Sequence, residues 1–144
     1  MSDTAGHKRV VHDGLNWPCS VRVSADWSTL VVDDPPTNWV WAFQIQADGS
    51  VINGRRFCHL ETSDKSSETD AGGMAFDSEG FLYVATNQGV QVCDQRGRVI
   101  AIIDAPSSDG VSNVFFGGPG LQWLYVTTWE KVYRRPVKRR GLRL

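Results

Sequence analysis

Valine, threonine, isoleucine and aromatic residues run through this chain in short stretches, each broken by glycine or by small polar residues. β-branched and aromatic side chains suit a pleated, half-buried surface, and turn residues between such runs mark strand ends. No extended stretch places apolar residues at i, i+3, i+4 and i+7, the spacing of an amphipathic helix. The pattern predicts an all-β chain.

The pattern also repeats. Cys19-Ser20-Val21, Gly72-Gly73-Met74 and Ser112-Asn113-Val114 each put two small or polar residues before an apolar one. A turn follows each, and then a β-rich run: Thr29 to Val32, Phe81 to Thr86, and Trp123 to Thr128. Third strands are predicted at Trp39 to Phe43, Gly89 to Cys93 and Lys131 to Arg134. Fourth strands are predicted at Arg56 to Leu60 and Arg98 to Ile103, after the glycine turns Asp48-Gly49 and Arg96-Gly97. Leu30, Leu82 and Leu124 recur at intervals of 52 and 42 residues, the longer one absorbed by the polar loop Glu61 to Asp70. A period of this size with several strands in it is the mark of a propeller blade. The expectation is one domain of three four-stranded meanders, at about 15–60, 71–103 and 111–141. Three blades leave an uncovered apolar face at each end of the arc. A homodimer, each copy giving three blades, is expected to complete the ring; the alternatives are an open arc and a piece of a longer gene product.

Composition narrows the setting. Fifteen Lys and Arg against sixteen Asp and Glu give a net charge of −1, which points to neither nucleic acid nor a membrane surface. Seven basic residues and no acid lie between Lys131 and the C-terminus, read as charges that keep a terminal sheet edge soluble. Cys19, Cys58 and Cys93 form no CxxC pair, which argues for a reducing compartment. With no apolar leader run near the N-terminus, a cytoplasmic location is expected.

Several constellations reduce to structure. Asp33-Asp34-Pro35-Pro36 reads as a strand end and turn, since adjacent strand residues point to opposite faces. His7, His12 and His59 lack metal-ligand spacing, no serine sits in a GxSxG elbow, and Gly117-Gly118-Pro119-Gly120 opens onto a strand rather than a helix. Trp39 and Trp41 share a strand face and are expected to pack between blades.

Taken in order, the blocks from Leu15 to Val21, Gly73 to Thr86, Gly89 to Asp94, Ser112 to Pro119 and Leu124 to Thr127 resemble the C-terminal half of the senescence-marker-protein/gluconolactonase family, the regucalcin-like lactonases. The resemblance implies the last three blades of a six-bladed propeller. It also implies a divalent metal, calcium or zinc, in a central funnel, and hydrolysis of a small lactone or sugar-acid ester. There the metal polarises the ring carbonyl and positions water while a carboxylate takes its proton.

The resemblance places ligands at the funnel-facing starts of inner strands. Cys19 stands where the family has asparagine, and Gly72 where it has aspartate. A thiol is a poor calcium ligand and glycine offers no side chain. Cys19 itself reads as a small buried filler. Cys19, Ser20, Gly72, Ser112 and Asn113 are the expected funnel lining, and Asp70 and Asn113 the remaining candidate ligands. The implied function is a lactone hydrolase impaired at its metal centre; the alternative is a non-catalytic propeller piece that binds a ligand or partner.

Overall fold

The computed structural model describes residues 6–143. Eleven strands form three antiparallel sheets in chain order. The first contains β1 (Val21–Val23), β2 (Thr29–Asp34), β3 (Trp39–Ile45) and β4 (Val51–His59). The second contains β5 (Met74–Phe76), β6 (Leu82–Thr86), β7 (Gly89–Cys93) and β8 (Val99–Asp104). The third contains β9 (Asn113–Gly117), β10 (Trp123–Thr127) and β11 (Val132–Pro136). Each is a meander in which every strand pairs with the next. Among the described residues, helix is limited to 3₁₀ turns at Pro35–Thr37 and Pro119–Leu121, and none is long and apolar enough to cross a membrane.

Strand pairing bears out the repeat. Val21 lies opposite Val32, Met74 opposite Val84, and Val114 opposite Val126. Each second-strand partner is two residues beyond Leu30, Leu82 or Leu124, so the aligned blocks occupy equivalent places in three dimensions. The hairpin turns behave as expected too: Gly49 at φ +80° and Gly97 at φ +81° take conformations that favour glycine.

One expectation is corrected. Four strands form in the first two sheets, but only three form in the third among the described residues. After β11 the chain turns back beneath the second and third sheets instead of adding a strand. The Gly141 N–H donates to the Leu121 carbonyl, the Leu142 N–H to Phe76 and the Ser78 N–H to Arg140. Arg139 pairs with Glu79, lies 3.7 Å from the buried Asp77 carboxylate, and covers the Phe81 ring at 3.8 Å. The basic terminal stretch thus includes a tether as well as an exposed edge strand.

Two apolar layers hold the sheets together. Val31, Val40, Ala42, Cys58 and Leu60 meet Met74, Leu82, Val84 and Cys93 between the first and second sheets. Ala75, Tyr83, Ala85, Val90 and Val92 meet Val114, Phe116 and Leu124 between the second and third. Period-two alternation supplies both layers, since successive side chains of the middle sheet face opposite neighbours. β6 and β7 are consequently buried along their whole length.

Trp39 and Trp41 lie on the opposite face of β3 from Val40 and Ala42, which face the first layer. They are half-buried there, with the Arg56 guanidinium 5.4 and 5.9 Å from their rings. The segment before β1 crosses this outer face. The His12 ring lies tilted against Phe43 at 4.6 Å, while Asp34 accepts hydrogen bonds from the amides of Asn16 and Trp17.

Candidate functional site

The inner strands β1, β5 and β9 begin at one end of the three sheets. Backbone pairing makes Ser20, Gly73 and Asn113 equivalent. Asp33 N–H donates to Ser20, Ala85 N–H donates to Gly73, and Thr127 lies opposite Asn113. Cys19, Gly72 and Ser112 are the residues just before. The expected funnel residues therefore do share one rim.

The rim is held differently along its length. Between the second and third sheets, backbone meets backbone. The Gly73 N–H donates to the Ser112 carbonyl at 3.0 Å, and the Val111 N–H to the Thr86 carbonyl at 2.9 Å. A β-carbon on Gly72 would run into the Ser112 carbonyl oxygen, and one on Gly73 into the Asn113 side chain and Cα. The two glycines are there because nothing larger fits between β5 and β9. Ser112 and Asn113 are exposed, and the Asn113 side-chain oxygen accepts from the Val114 N–H at 2.8 Å, folding back on its own strand.

The start of the first sheet is fastened by a carboxylate. Asp33 is completely buried, and its Oδ1 accepts from the Cys19 N–H at 3.1 Å and the Ser20 N–H at 2.5 Å. Its Oδ2 is buried without a hydrogen-bond partner. Burial, which disfavours the charged form, pushes this carboxyl up to about 6 despite the two amides. Asp34, next along, goes the other way. Burial pushes it up, but the amides of Trp17 and Asn16, the Asn16 side chain and the Thr37 hydroxyl more than offset that and hold it below the ordinary carboxylate range. Asp33 and Asp34 close β2 as a strand end and turn, as expected. What the sequence reading missed is that Asp33 fastens the backbone of Cys19 and Ser20. The available signal was an acid ending the apolar run Thr29 to Val32.

Cys19 differs from expectation. It is exposed rather than a buried filler, with its amide held by Asp33. Partial burial and the Asp33 charge raise its thiol, which leaves it a weaker metal ligand than an ordinary cysteine. Asp70 is drawn aside. It sits at φ 48°, with its carboxylate accepting from Asn87 Nδ2 at 3.2 Å, and Asn38 ties down neighbouring Thr69 through both the amide and hydroxyl of that residue.

These residues do not fit a hard divalent cation, which takes six or more oxygen donors. Gly72 has no side-chain donor and no room to gain one. Asp33 spends one oxygen on two amides and buries the other, and Asn113 turns back to its backbone. Among the described residues no group of three or more His, Cys, Asp or Glu gathers to hold a metal.

Comparison with known proteins follows the same outline. The profile of the SMP-30/gluconolactonase/LRE-like region matches residues 1–130. Pentonolactonase XacC of Haloferax volcanii is 29% identical over 129 residues, which cover 88% of this chain and 43% of that protein. A solved structure assigned as a gluconolactonase superposes with a TM-score of 0.82 at 20% identity, covering 98% of this chain and 46% of that one. A calcium-binding protein, regucalcin from Agrobacterium tumefaciens, superposes with a TM-score of 0.71 at 20% identity over 88% of this chain and 50% of that one. At those identities the superpositions speak for the fold alone. The chain spans half or less of the length of the relatives it matches.

Proposed function

The chain belongs to the SMP-30/gluconolactonase/LRE-like family, and from that premise we propose that it forms three blades of a six-bladed lactonase-type propeller without a working metal centre of its own. Lactone hydrolysis in such a funnel needs a group to polarise the ring carbonyl, a placed water and a base to take its proton. The rim supplies none of these. The single observation that carries this reading is Gly72, whose missing side chain is occupied space, filled by the Ser112 carbonyl. An absent ligand that could be restored by a side-chain swing would leave the chemistry within reach; an absent ligand whose volume belongs to a neighbouring strand does not.

What remains is a polar rim of backbone groups, the Ser112 hydroxyl and the Asn113 amide, suited to hydrogen-bonding a small sugar acid or lactone rather than opening it. The three unpaired cysteines support a reducing, cytoplasmic setting. The test is hydrolysis of five- and six-carbon sugar lactones by the purified chain, with calcium, zinc or manganese added and after chelator treatment. The expected rate equals the buffer rate throughout; metal-dependent turnover abolished by chelator overturns the reading. Thermal melting gives a second readout, because a metal that binds only the native state must raise the melting temperature. None of the three metals is expected to do so.

A further inference from the structure

The end of β4 lies against β7 and the turn that follows it, and contacts on both sides fix the crossing. On one side, the Phe57 carbonyl is so close to Gly97 that a β-carbon there would collide with it. On the other, the completely buried Gln91 grips the chain just beyond β4. Its Oε1 accepts from the Glu61 N–H at 2.8 Å, and its Nε2 donates to the Glu61 carbonyl at 2.8 Å. Cys58 lies between Phe57 and Glu61, and Cys93 between Gln91 and Gly97. The two contacts thus bring together cysteines that stand 35 positions apart in the chain. Both are 0% exposed, in the apolar layer that also holds Leu60, Met74 and Leu82. The Cys93 thiol hydrogen-bonds to Cys58, and the Cys58 thiol donates to the His59 carbonyl at 4.0 Å.

We infer that Cys58 and Cys93 are a reversible modification site, a thiol pair that oxidises to a disulfide and locks the first sheet to the second. The oxidant is a small disulfide such as oxidised glutathione. One cysteine attacks it and displaces a first glutathione thiol; the other attacks the resulting mixed disulfide and displaces the second. Two S–H bonds break and one S–S bond forms between the cysteines. The two electrons and both protons leave in the two glutathione thiols.

The surroundings favour this product over a bound metal. A disulfide carries no charge and suits an apolar layer, whereas a metal takes thiolates. The bond to Cys58, and then burial, push the Cys93 thiol up, away from the thiolate form. Among the described residues no third His, Cys, Asp or Glu joins the pair to hold a metal. The same enclosure sets the timing. The pair exchanges only when the seam opens locally, and a bridge once closed over is shielded from reductant. The bridge would also anchor the root of the loop Glu61 to Asp70, which leads to the rim at Gly72. Its stabilising effect comes from restricting the unfolded chain, and grows with the length of the loop it closes.

The test uses the full chain with Cys19→Ser, which removes the exposed thiol. The folded protein is held with mixed oxidised and reduced glutathione, at urea levels up to the foot of its unfolding transition so that the seam opens transiently. The expected product has no free thiol, no attached glutathione, and one peptide pair joined through Cys58 and Cys93 in a digest. Its melting temperature should rise by about 10 °C and return when dithiothreitol is added. Cys93→Ala should show no rise that dithiothreitol reverses; if that variant does not fold, the dithiothreitol comparison on the bridged chain decides alone. Two thiols that stay free, or a glutathione on each, overturn the inference. So does a bridge that leaves the melting temperature unchanged, since it would not fasten the seam. Thiol count and melting are independent of lactone turnover, so this inference and the functional reading fail separately.

Discussion

The second and third sheets carry the same repeat, yet one is enclosed and the other is not. In the second, β6 and β7 are buried residue by residue, with Val84 and Leu82 facing the first sheet and Tyr83 and Val92 facing the third. In the third, Leu124, Val114 and Phe116 are buried against the second sheet while Phe115 stands in the open. Sequence pattern does not separate them, because Leu82-Tyr83-Val84 and Leu124-Tyr125-Val126 read alike. Position in the arc does. A blade gains its full burial only from two neighbours, as repeat architectures in general do.

The largest effect that could break this comparison is in the middle sheet. Leu82→Ala should cost about 2–5 kcal/mol in chemical denaturation, the range for emptying a fully buried leucine site. Phe115→Ala, measured dilute enough to keep copies apart, should stay within about 0.5 kcal/mol. Comparable losses would mean that the third sheet is as enclosed as the second. Next comes the seam between them. Gly72→Asp should lose about 3 kcal/mol through collision with the Ser112 carbonyl. Calcium should not raise its melting temperature.

A smaller effect sharpens the contrast with the first sheet, where a carboxylate rather than glycine fixes the rim residues. The Asp33 carboxyl is raised to about 6 in the folded chain. An acid raised on folding favours the protonated native state, so its contribution is complete below the unfolded value near 4 and is lost as pH rises through about 6. Stability should fall by of order 2 kcal/mol over that interval, and Asp33→Asn should flatten it in urea titrations at stepped pH. Asp34, held low, acts in reverse, with its contribution present above about 4 and lost in stronger acid. The smallest effect is local. Asp34→Ala should release the segment that crosses the outer face of the first sheet, at about 1 kcal/mol. Faster amide exchange at Asn16 and Trp17 with no change at Leu82 would mark it as local; equal acceleration at both would count against it.

Much of the fold was legible in the chain. Strand-forming runs, glycine turns and the spacing of three leucines mark three meanders, and pairing puts the aligned blocks where the repeat places them. The strand count of the third unit was not legible, because residues beyond Pro136 look no less extended than those before it. Their turn back depends on Asp77, Phe81 and Phe116, partners far away in sequence. At the rim, the lack of a side-chain oxygen at Cys19 and Gly72 could be read directly. Why Gly72 is glycine could not, since the reason is a carbonyl on another sheet. Nor could the exposure of Cys19, whose amide is held by Asp33 on the next strand.

The sequence by itself determined the local alphabet of this protein: which runs become strands, where they turn, and which rim positions lack a side-chain oxygen. Those properties depend on residues close in the chain, on side-chain branching and on backbone freedom. The tertiary structure alone decided that the middle sheet is sealed while the third stays open, that two glycines mark a backbone contact, and that Asp33 is buried with one oxygen unpartnered. Each of these depends on what lies across a seam, and neighbours across a seam are set by how sheets stack rather than by the order of residues along a strand.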